Sequence, residues 1–420
     1  MLCIPRFSGL QTVSDRSSPT PPNACGEGSF GTTYRDGDTM IKVSHDGDRL
    51  GELGIVADLV REVAFGVQVR GAPNLVQITS ICVTSGETQL RSEYAGQPIT
   101  PKIVADLAPD VLRDYVRDVL RALAELNERG IAHRDIKPSN VVVKDGVATV
   151  IDLGISKGQI FQGMCAEGHT KPVQTRWYRA PEVADDSHGY GPAMDSWSVG
   201  MMFLELTVGH SPMRHTHESN YSQLLNMWRP FWHLKWASKG LARTPSPMPL
   251  GKRYSKINAW GEAFVDLLEK LLDVNPDTRP TPAEALNHPY FAGTTPCVYK
   301  SPATLGALRE RCRRIPLHAK VDTTQQMAIE IAMQWMHDIA MHNNKGPCLA
   351  EAASILLLDV NARSTVLPKE MPTVAAACFW LSFKLRNTDH PDAKNMAELV
   401  NPPIEPKELV DAELRVMTLL

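Results

Sequence analysis

The sequence predicts an α+β architecture of two unequal lobes, one small and β-rich, one large and helical, followed by a separate all-α domain. Three observations lead there. Short runs of β-forming residues (TMIKVS, LVQITSICVT, TQLRSEYA) crowd the stretch from about Cys25 to Pro98 and surround one helical segment, Ile55 to Val69. From Pro109 to Phe291 apolar residues return at helical spacing, as in Val111, Tyr115, Val119, Ala122 and Leu126, and again in Phe264, Leu267, Leu268 and Leu271. Beyond Val321 every periodic segment is helical, punctuated by Pro347, Pro368, Pro402 and Pro403.

Taken in order, residues 1–22 end in SSPTPP without a sustained apolar period and read as a flexible leader. Residues 23–292 hold the two lobes. Residues 293–320, with three prolines and the basic cluster RERCRR, read as a linker whose charges form a solvated face rather than a nuclear signal. Residues 321–420 give five helical segments: Asp322 to His342, Leu349 to Asn361, Lys369 to Leu385, Ala393 to Val400 and Pro406 to Leu420.

Composition narrows the function classes. At 420 residues the chain is too long for one ordinary core. With 43% hydrophobic and 22% charged residues it has the make-up of soluble globular protein. A net charge of -3 gives no bulk attraction to nucleic acid or to an anionic membrane. No apolar run approaches the roughly 18 residues that a membrane span needs. The 8 cysteines are scattered without a C-x-x-C pair, which implies a reducing intracellular setting, nucleus or cytoplasm. Function is therefore read from sites.

The sites are those of phosphoryl transfer, which needs backbone amides around phosphates, a lysine to fix them, oxygen ligands for Mg²⁺ and a carboxylate facing the incoming hydroxyl. Gly26-Glu27-Gly28-Ser29-Phe30-Gly31 is a G-x-G-x-x-G loop; alone it is also an ordinary turn. The strand-like TMIKVS places Lys42 to pair phosphates, and Glu62 on the next helix can hold it by an ion pair. His133-Arg134-Asp135-Ile136-Lys137-Pro138-Ser139-Asn140 precedes the apolar strand Val141 to Val143, and Asp152-Leu153-Gly154 follows the strand TVI.

With these motifs in this order, the chain resembles the protein kinases over roughly residues 24 to 291. The resemblance implies ATP and Mg²⁺ as cofactors, with Gly26, Gly28, Gly31, Lys42, Glu93 and Ala95 around the nucleotide and Asn140 and Asp152 on the metal ions. It implies Asp135 as catalytic base, Lys137 steadying the γ-phosphate, and Lys42 and Glu62 as the paired charges that hold the nucleotide. Lys137 points to serine/threonine substrates. Glu182 of Ala180-Pro181-Glu182 is expected to pair with Arg279, and Asp195 to brace the catalytic loop. An inactive scaffold would lack one of these groups, and none is missing. Leu153 replaces the usual Phe, and Thr33 stands where a valine usually covers adenine, departures that bear on nucleotide affinity.

The segment VQTRWYRAPE, residues 173 to 182, resembles the branch of cyclin-dependent and mitogen-activated kinases and implies Ser-Pro or Thr-Pro targets. Thr170 falls at the activating phosphothreonine of cyclin-dependent kinases, which implies an activating kinase as a partner. Arg61, Arg134 and Lys157 match the cationic nest for that phosphate, and Thr175 a hydroxyl bridging Asp135 and Lys137. Ser29 and Phe30 replace the inhibitory Thr-Tyr pair of many such kinases. ADLVRE, residues 57 to 62, loosely resembles the cyclin-binding PSTAIRE helix.

The tail, with Gln334-Trp335-Met336, SILLLDVNAR, MPTVAAACFWLSFKL and ELVDAELRVMTLL, resembles a single cyclin box. Lys384 and Glu413 match the pair by which cyclins grip the partner kinase. Ile329 stands where cyclins often carry an arginine, Ala328 and Ala332 thin the substrate-docking patch, and Trp335 is expected in the core. A kinase fused to its own activator follows, docking in cis or in trans across a linker that reaches roughly 90 Å when extended. The alternative is a cyclin-like interaction protein that binds another kinase or titrates a regulator, with weak or no kinase activity.

Overall fold

A computed structural model describes residues 11–12, 24–28, 31–44, 57–84, 87–158, 175–185, 191–213, 249–293, 323–342, 347–364, 366–386, 391–400 and 402–419. The first lobe is a six-stranded sheet made of β1 (Gln11–Thr12), β2 (Ala24–Gly28), β3 (Gly31–Asp36), β4 (Thr39–Ser44), β5 (Ile78–Thr84) and β6 (Glu87–Glu93). Helix α1 (Ala57–Gln68) is inserted between β4 and β5. The strand order is β1-β5-β6-β4-β3-β2. Neighbours are antiparallel except β1, which runs parallel to β5 with Gln11 opposite Ser80, so two residues of the expected leader join the sheet edge.

The chain passes through Tyr94 to Gly96 into β7 (Gln97–Pro98), α2 (Pro101–Ala105), α3 (Pro109–Glu128), β8 (Ile131–Ala132), β9 (Val141–Lys144), β10 (Val147–Val150) and β11 (Lys157–Gly158). Then come α4 (Pro181–Asp185), α5 (Ala193–Val208), α6 (Leu250–Arg253), α7 (Glu262–Leu271) and α8 (Pro282–Ala285). The amphipathic α3 turns Leu112, Val116, Val119, Leu120 and Leu123 inward, against a core that includes Trp197 and Phe203 of α5 and Phe264 and Leu267 of α7. Helix α5 is buried almost all round, as the central helix of a lobe must be. The antiparallel sheets β10-β9-β7 and β11-β8 fix the ends of the loops that carry Asp135 and Asp152.

The C-terminal domain has α9 (Thr323–His342), α10 (Pro347–Arg363), α11 (Met371–Arg386), α12 (Ala393–Glu398) and α13 (Pro406–Leu419), matching the five expected segments to within a few residues. Its centre is α11, buried from Val374 to Leu385, where Ala375, Ala376 and Ala377 let neighbouring helices come close.

Helix α11 packs on α1. Leu59, Val60, Val63 and Ala64 of α1, with Ile78, Ile81 and Leu90 of the sheet, share one apolar core with Phe379 and Phe383 of α11. Phe65, on the same helix, joins the core of the larger lobe instead. Gly66 lets the sheet approach, because a Cβ there would run into the Ile78 side chain. Thus α1 is held from both sides, and its polar Arg61 and Glu62 are buried with it. Among the described residues no helix is long and apolar enough to cross a membrane.

Candidate active site

Strand alternation places the first functional group. Ile41 and Val43 are buried on one face of β4, so Lys42 projects from the other. There its Nζ lies 2.7 Å from Glu62 Oε2 of α1 and 3.3 Å from Asp152 Oδ1. Burial works to lower the lysine's pKa, but the two carboxylates outweigh it and hold the ammonium above its usual range. Burial likewise works to raise the Asp152 pKa, yet the Lys42 charge and the Gly154 N–H at 3.2 Å leave the carboxyl below its ordinary value.

Asp135 is fixed through its backbone and its carboxylate. Asp195, buried in the first turn of α5, accepts the His133 N–H at 2.8 Å and the Arg134 N–H at 2.9 Å. Arg134 and Asp152 both have left-handed backbones, with φ of 71° and 66°, a conformation that costs energy in non-glycine residues and persists when the surroundings over-determine it. The Asp135 carboxylate accepts from Lys137 Nζ at 2.7 Å, Asn140 Nδ2 at 3.0 Å and the Thr175 hydroxyl at 2.6 Å. Lys137 also reaches the Thr175 hydroxyl at 3.2 Å, so Thr175 bridges the two residues as expected.

Asn140 donates its amide N–H to the Asp135 carbonyl at 2.9 Å and carboxylate at 3.0 Å, which leaves its side-chain oxygen as an acceptor. With the ionised Asp152 this makes a two-oxygen set suited to Mg²⁺, an ion that keeps waters and phosphate oxygens as its other ligands. No cluster of three or more metal-ligating side chains occurs among the described residues. Gly26 and Gly28 of β2 face Thr33 and Gly31 of β3 across the hairpin, while Ser29 and Phe30 lie outside the described residues. Glu93 ends β6, and Ala95 follows Tyr94, whose N–H donates to the Asp38 carbonyl at 2.8 Å.

Residues 23–291 match the protein kinase domain family. The chain belongs to the protein kinase family. Residues 307–420 of this kinase match the cyclin N-terminal domain family, beginning within the stretch expected as linker. The serine/threonine-protein kinase crk1 of Schizosaccharomyces pombe is 29% identical over 66% of this chain and 86% of its own length. Cell division control protein 2 homolog 1 of Trypanosoma brucei brucei is 28% identical over 64% and 95%. Cyclin-dependent kinase-like 2 of Homo sapiens is 30% identical over 63% of this chain and 56% of its own. A chain in the structure of the CAK complex of Chaetomium thermophilum bound to ATP-gamma-S aligns with TM-score 0.55 and 25% identity, over 65% of this chain and 91% of that one. This is a cyclin-dependent-kinase-like serine/threonine kinase with a C-terminal cyclin domain.

Two further charge clusters brace the kinase. Arg279 grips Glu182 with two nitrogens, at 2.7 and 3.0 Å, and lies over the Trp197 ring at 5.1 Å. In the cyclin domain Lys384 bonds Glu413, both fully buried, and its ammonium stands 3.6 Å from the centre of the Trp380 ring. The Lys384 carbonyl accepts Arg61 Nη1 at 2.8 Å, so a main-chain atom of the expected contact residue touches the kinase helix.

Arg61 and Arg134, two of the expected nest residues, come together. Burial, then the nearby Arg134 charge, push the Arg61 pKa down to about 9. Lys157 enters β11 opposite Ala132, beside the same loop. Thr170, and Gln174 next to Thr175, lie outside the described residues. On α9, Ile329 is buried, Met327 and Ile331 are exposed, and Trp335, expected in the core, is half-buried and packs against it, its ring centre 6.0 Å from that of Phe379. The Trp335 Nε1–H donates to the carbonyl of the exposed Leu399 at 3.2 Å, which satisfies the indole's polar edge.

Sequence reasoning missed Asp58, which pairs with Arg61; the only signal was their i, i+3 spacing on a helix. It also missed Tyr94, whose ring is covered by Arg35 at 3.6 Å on the strand side, with Lys144 of the larger lobe at 5.4 Å.

Proposed function

We propose that the chain transfers the γ-phosphoryl group of Mg·ATP to serine or threonine in Ser/Thr-Pro sites of proteins, and that its cyclin domain is its own activator. The observation that carries this reading is the formed Lys42–Glu62 pair on a helix wedged against α11. In such an arrangement Lys42 fixes the α- and β-phosphates, and Asp152 and Asn140 hold Mg²⁺. Bound there, the ion supplies charge neutralisation on the phosphate oxygens.

Asp135 receives the substrate hydroxyl and its proton, and Lys137 steadies charge that develops on the transferred group. Gly26, Gly28, Gly31, Glu93 and Ala95 enclose the nucleotide. Arg61, Arg134 and Lys157 receive a phosphate placed on Thr170 by an activating kinase. The WYRAPE run supports the proline-directed specificity, and an intracellular, nuclear or cytoplasmic setting goes with it. A module that serves another kinase is favoured less, because α1 of the same chain covers α11.

The test is radiolabelled phosphate transfer to Ser-Pro and Thr-Pro peptides and to their Pro→Ala counterparts. Full chain, Asp135→Asn and a chain lacking residues 321–420 are compared. Asp135→Asn is expected to lose on the order of 100-fold or more in kcat, and loss of the cyclin domain at least about tenfold, each tenfold being ~1.4 kcal/mol of bias. Absence of transfer by the folded full chain overturns the proposal, and equal activity without residues 321–420 overturns its activator part.

A further inference from the structure

The chain crosses from the small lobe to the large one within two residues. Glu93 still pairs with Thr39 of β4, and the Tyr94 N–H donates to the Asp38 carbonyl at 2.8 Å, so the small lobe holds the chain as far as Tyr94. Gln97 is already paired with Val143 of β9 in the large lobe. Between them lie Ala95 and Gly96, and Gly96 presses so close to β9 that a Cβ on it would meet the Val143 carbonyl and the Lys144 side chain.

The Tyr94 side chain is gripped at this crossing by a cation from each lobe. The Arg35 guanidinium of β3 lies 3.6 Å from the ring centre, oriented by the bond from its Nε to the Gly37 carbonyl at 2.9 Å. Lys144, which ends β9, holds its ammonium 5.4 Å from the same centre. The negative face of an aromatic ring attracts both charges. Lys144 also stands 3.9 Å from an Asp38 carboxylate oxygen, but that side chain is 90% exposed and solvent screens the pair. The ring is thus a point where side chains of the two lobes meet beside the crossing.

We infer that Tyr94 is a positioning residue for the nucleotide. Its ring, held by Arg35 and Lys144, braces the short crossing and so fixes the spacing of its chain neighbours Glu93 and Ala95, which enclose the nucleotide in the proposed function. The inference rests on that reading and concerns how the same site is held in shape. Without the brace the crossing must be ordered when nucleotide binds, and that ordering is subtracted from affinity. The loss falls on nucleotide binding rather than on the transfer step, because Asp135, Lys137 and Asn140 are fixed by bonds within the large lobe.

The experiment is equilibrium titration of the full chain with Mg·ADP, beside steady-state transfer to a Ser-Pro peptide at varied Mg·ATP. Wild type, Tyr94→Phe, Tyr94→Leu, Lys144→Gln and the Tyr94→Leu, Lys144→Gln double variant are compared. Tyr94→Leu is expected to raise the Mg·ADP Kd and the KM for ATP about fivefold, ~1 kcal/mol, with kcat within about twofold. Tyr94→Phe keeps the ring and is expected to stay within about twofold of wild type in Kd. Lys144→Gln is expected to cost about threefold in Kd by itself and nothing further once Tyr94 is Leu. A merely structural role would lower kcat and the melting temperature without moving Kd. A Kd of Tyr94→Leu within about twofold of wild type, a Phe loss equal to the Leu loss, or a Lys144→Gln loss equal in both backgrounds overturns the inference. A wild type that binds Mg·ADP but transfers no phosphate overturns the proposed function alone, since the binding comparison still decides the inference. A wild type that binds no Mg·ADP overturns both. Should Tyr94→Leu melt below the assay temperature, Tyr94→Met, which also removes the ring, repeats the comparison under the same criteria.

Discussion

Arg279 shows how a single side chain can secure a lobe. It reaches Glu182 with two nitrogens, the Ala193 carbonyl at 3.0 Å and the Asp273 carbonyl at 2.7 Å, all out of water. Such a pair stabilises little when formed, but breaking it leaves a buried charge alone. Glu182→Ala is expected to lower stability by about 3–5 kcal/mol, read as a shift of the urea midpoint. Asp152 gives a pH dependence of defined sign. Because its pKa is held below that of an unfolded aspartate, the stability it contributes is complete above the ordinary carboxylate range and is lost as pH falls through the lowered value. Melting curves of Asp152→Asn from neutral to acid pH should therefore show a shallower acid decline than wild type.

At the scale of elements, the link between the lobes is set by close approach. Gly96 has φ +127°, and a Cβ there would collide with the Val143 carbonyl of β9. Gly96→Ala must strain the backbone and push the link away from β9, so KM for ATP is expected to rise several-fold or more (on the order of 1–3 kcal/mol of strain) with a smaller change in kcat. Steady-state kinetics at varied ATP checks it. Helix α1 is the other decisive element. Its sequence, ADLVREVAFGVQ, showed a helix and a candidate ion-pairing Glu62, but not that Leu59, Val60 and Val63 meet a different core from Phe65. A helical period tells which residues share a face and is silent on what covers it.

For the whole molecule, the shared core of α1 and α11 makes docking within one chain the natural arrangement. A tether holds the two modules at about millimolar effective concentration, so activity per molecule should not change on dilution. Separately produced residues 1–320 and 321–420 should instead lose activity on dilution, with a midpoint at their dissociation constant. Enzyme dilution series on both preparations make the comparison, and a full chain whose specific activity falls on dilution would indicate docking between two copies.

The sequence by itself determined the order of lobes and domains, because periodicity and proline punctuation are local, and it singled out Lys42, Glu62, Asp135, Asn140 and Asp152 as candidates, because phosphoryl transfer restricts residue type and spacing so tightly; the fold brings Lys42 to Glu62 and Asp152, and Asn140 to Asp135. Only the tertiary structure decided that Asp58 pairs with Arg61, that Tyr94 is flanked by cations from both lobes, and that Trp335 packs on Phe379 with its indole bonded to Leu399. Those contacts join residues whose neighbourhood depends on how the helices pack, and packing follows from the summed burial of many side chains rather than from any short stretch of chain.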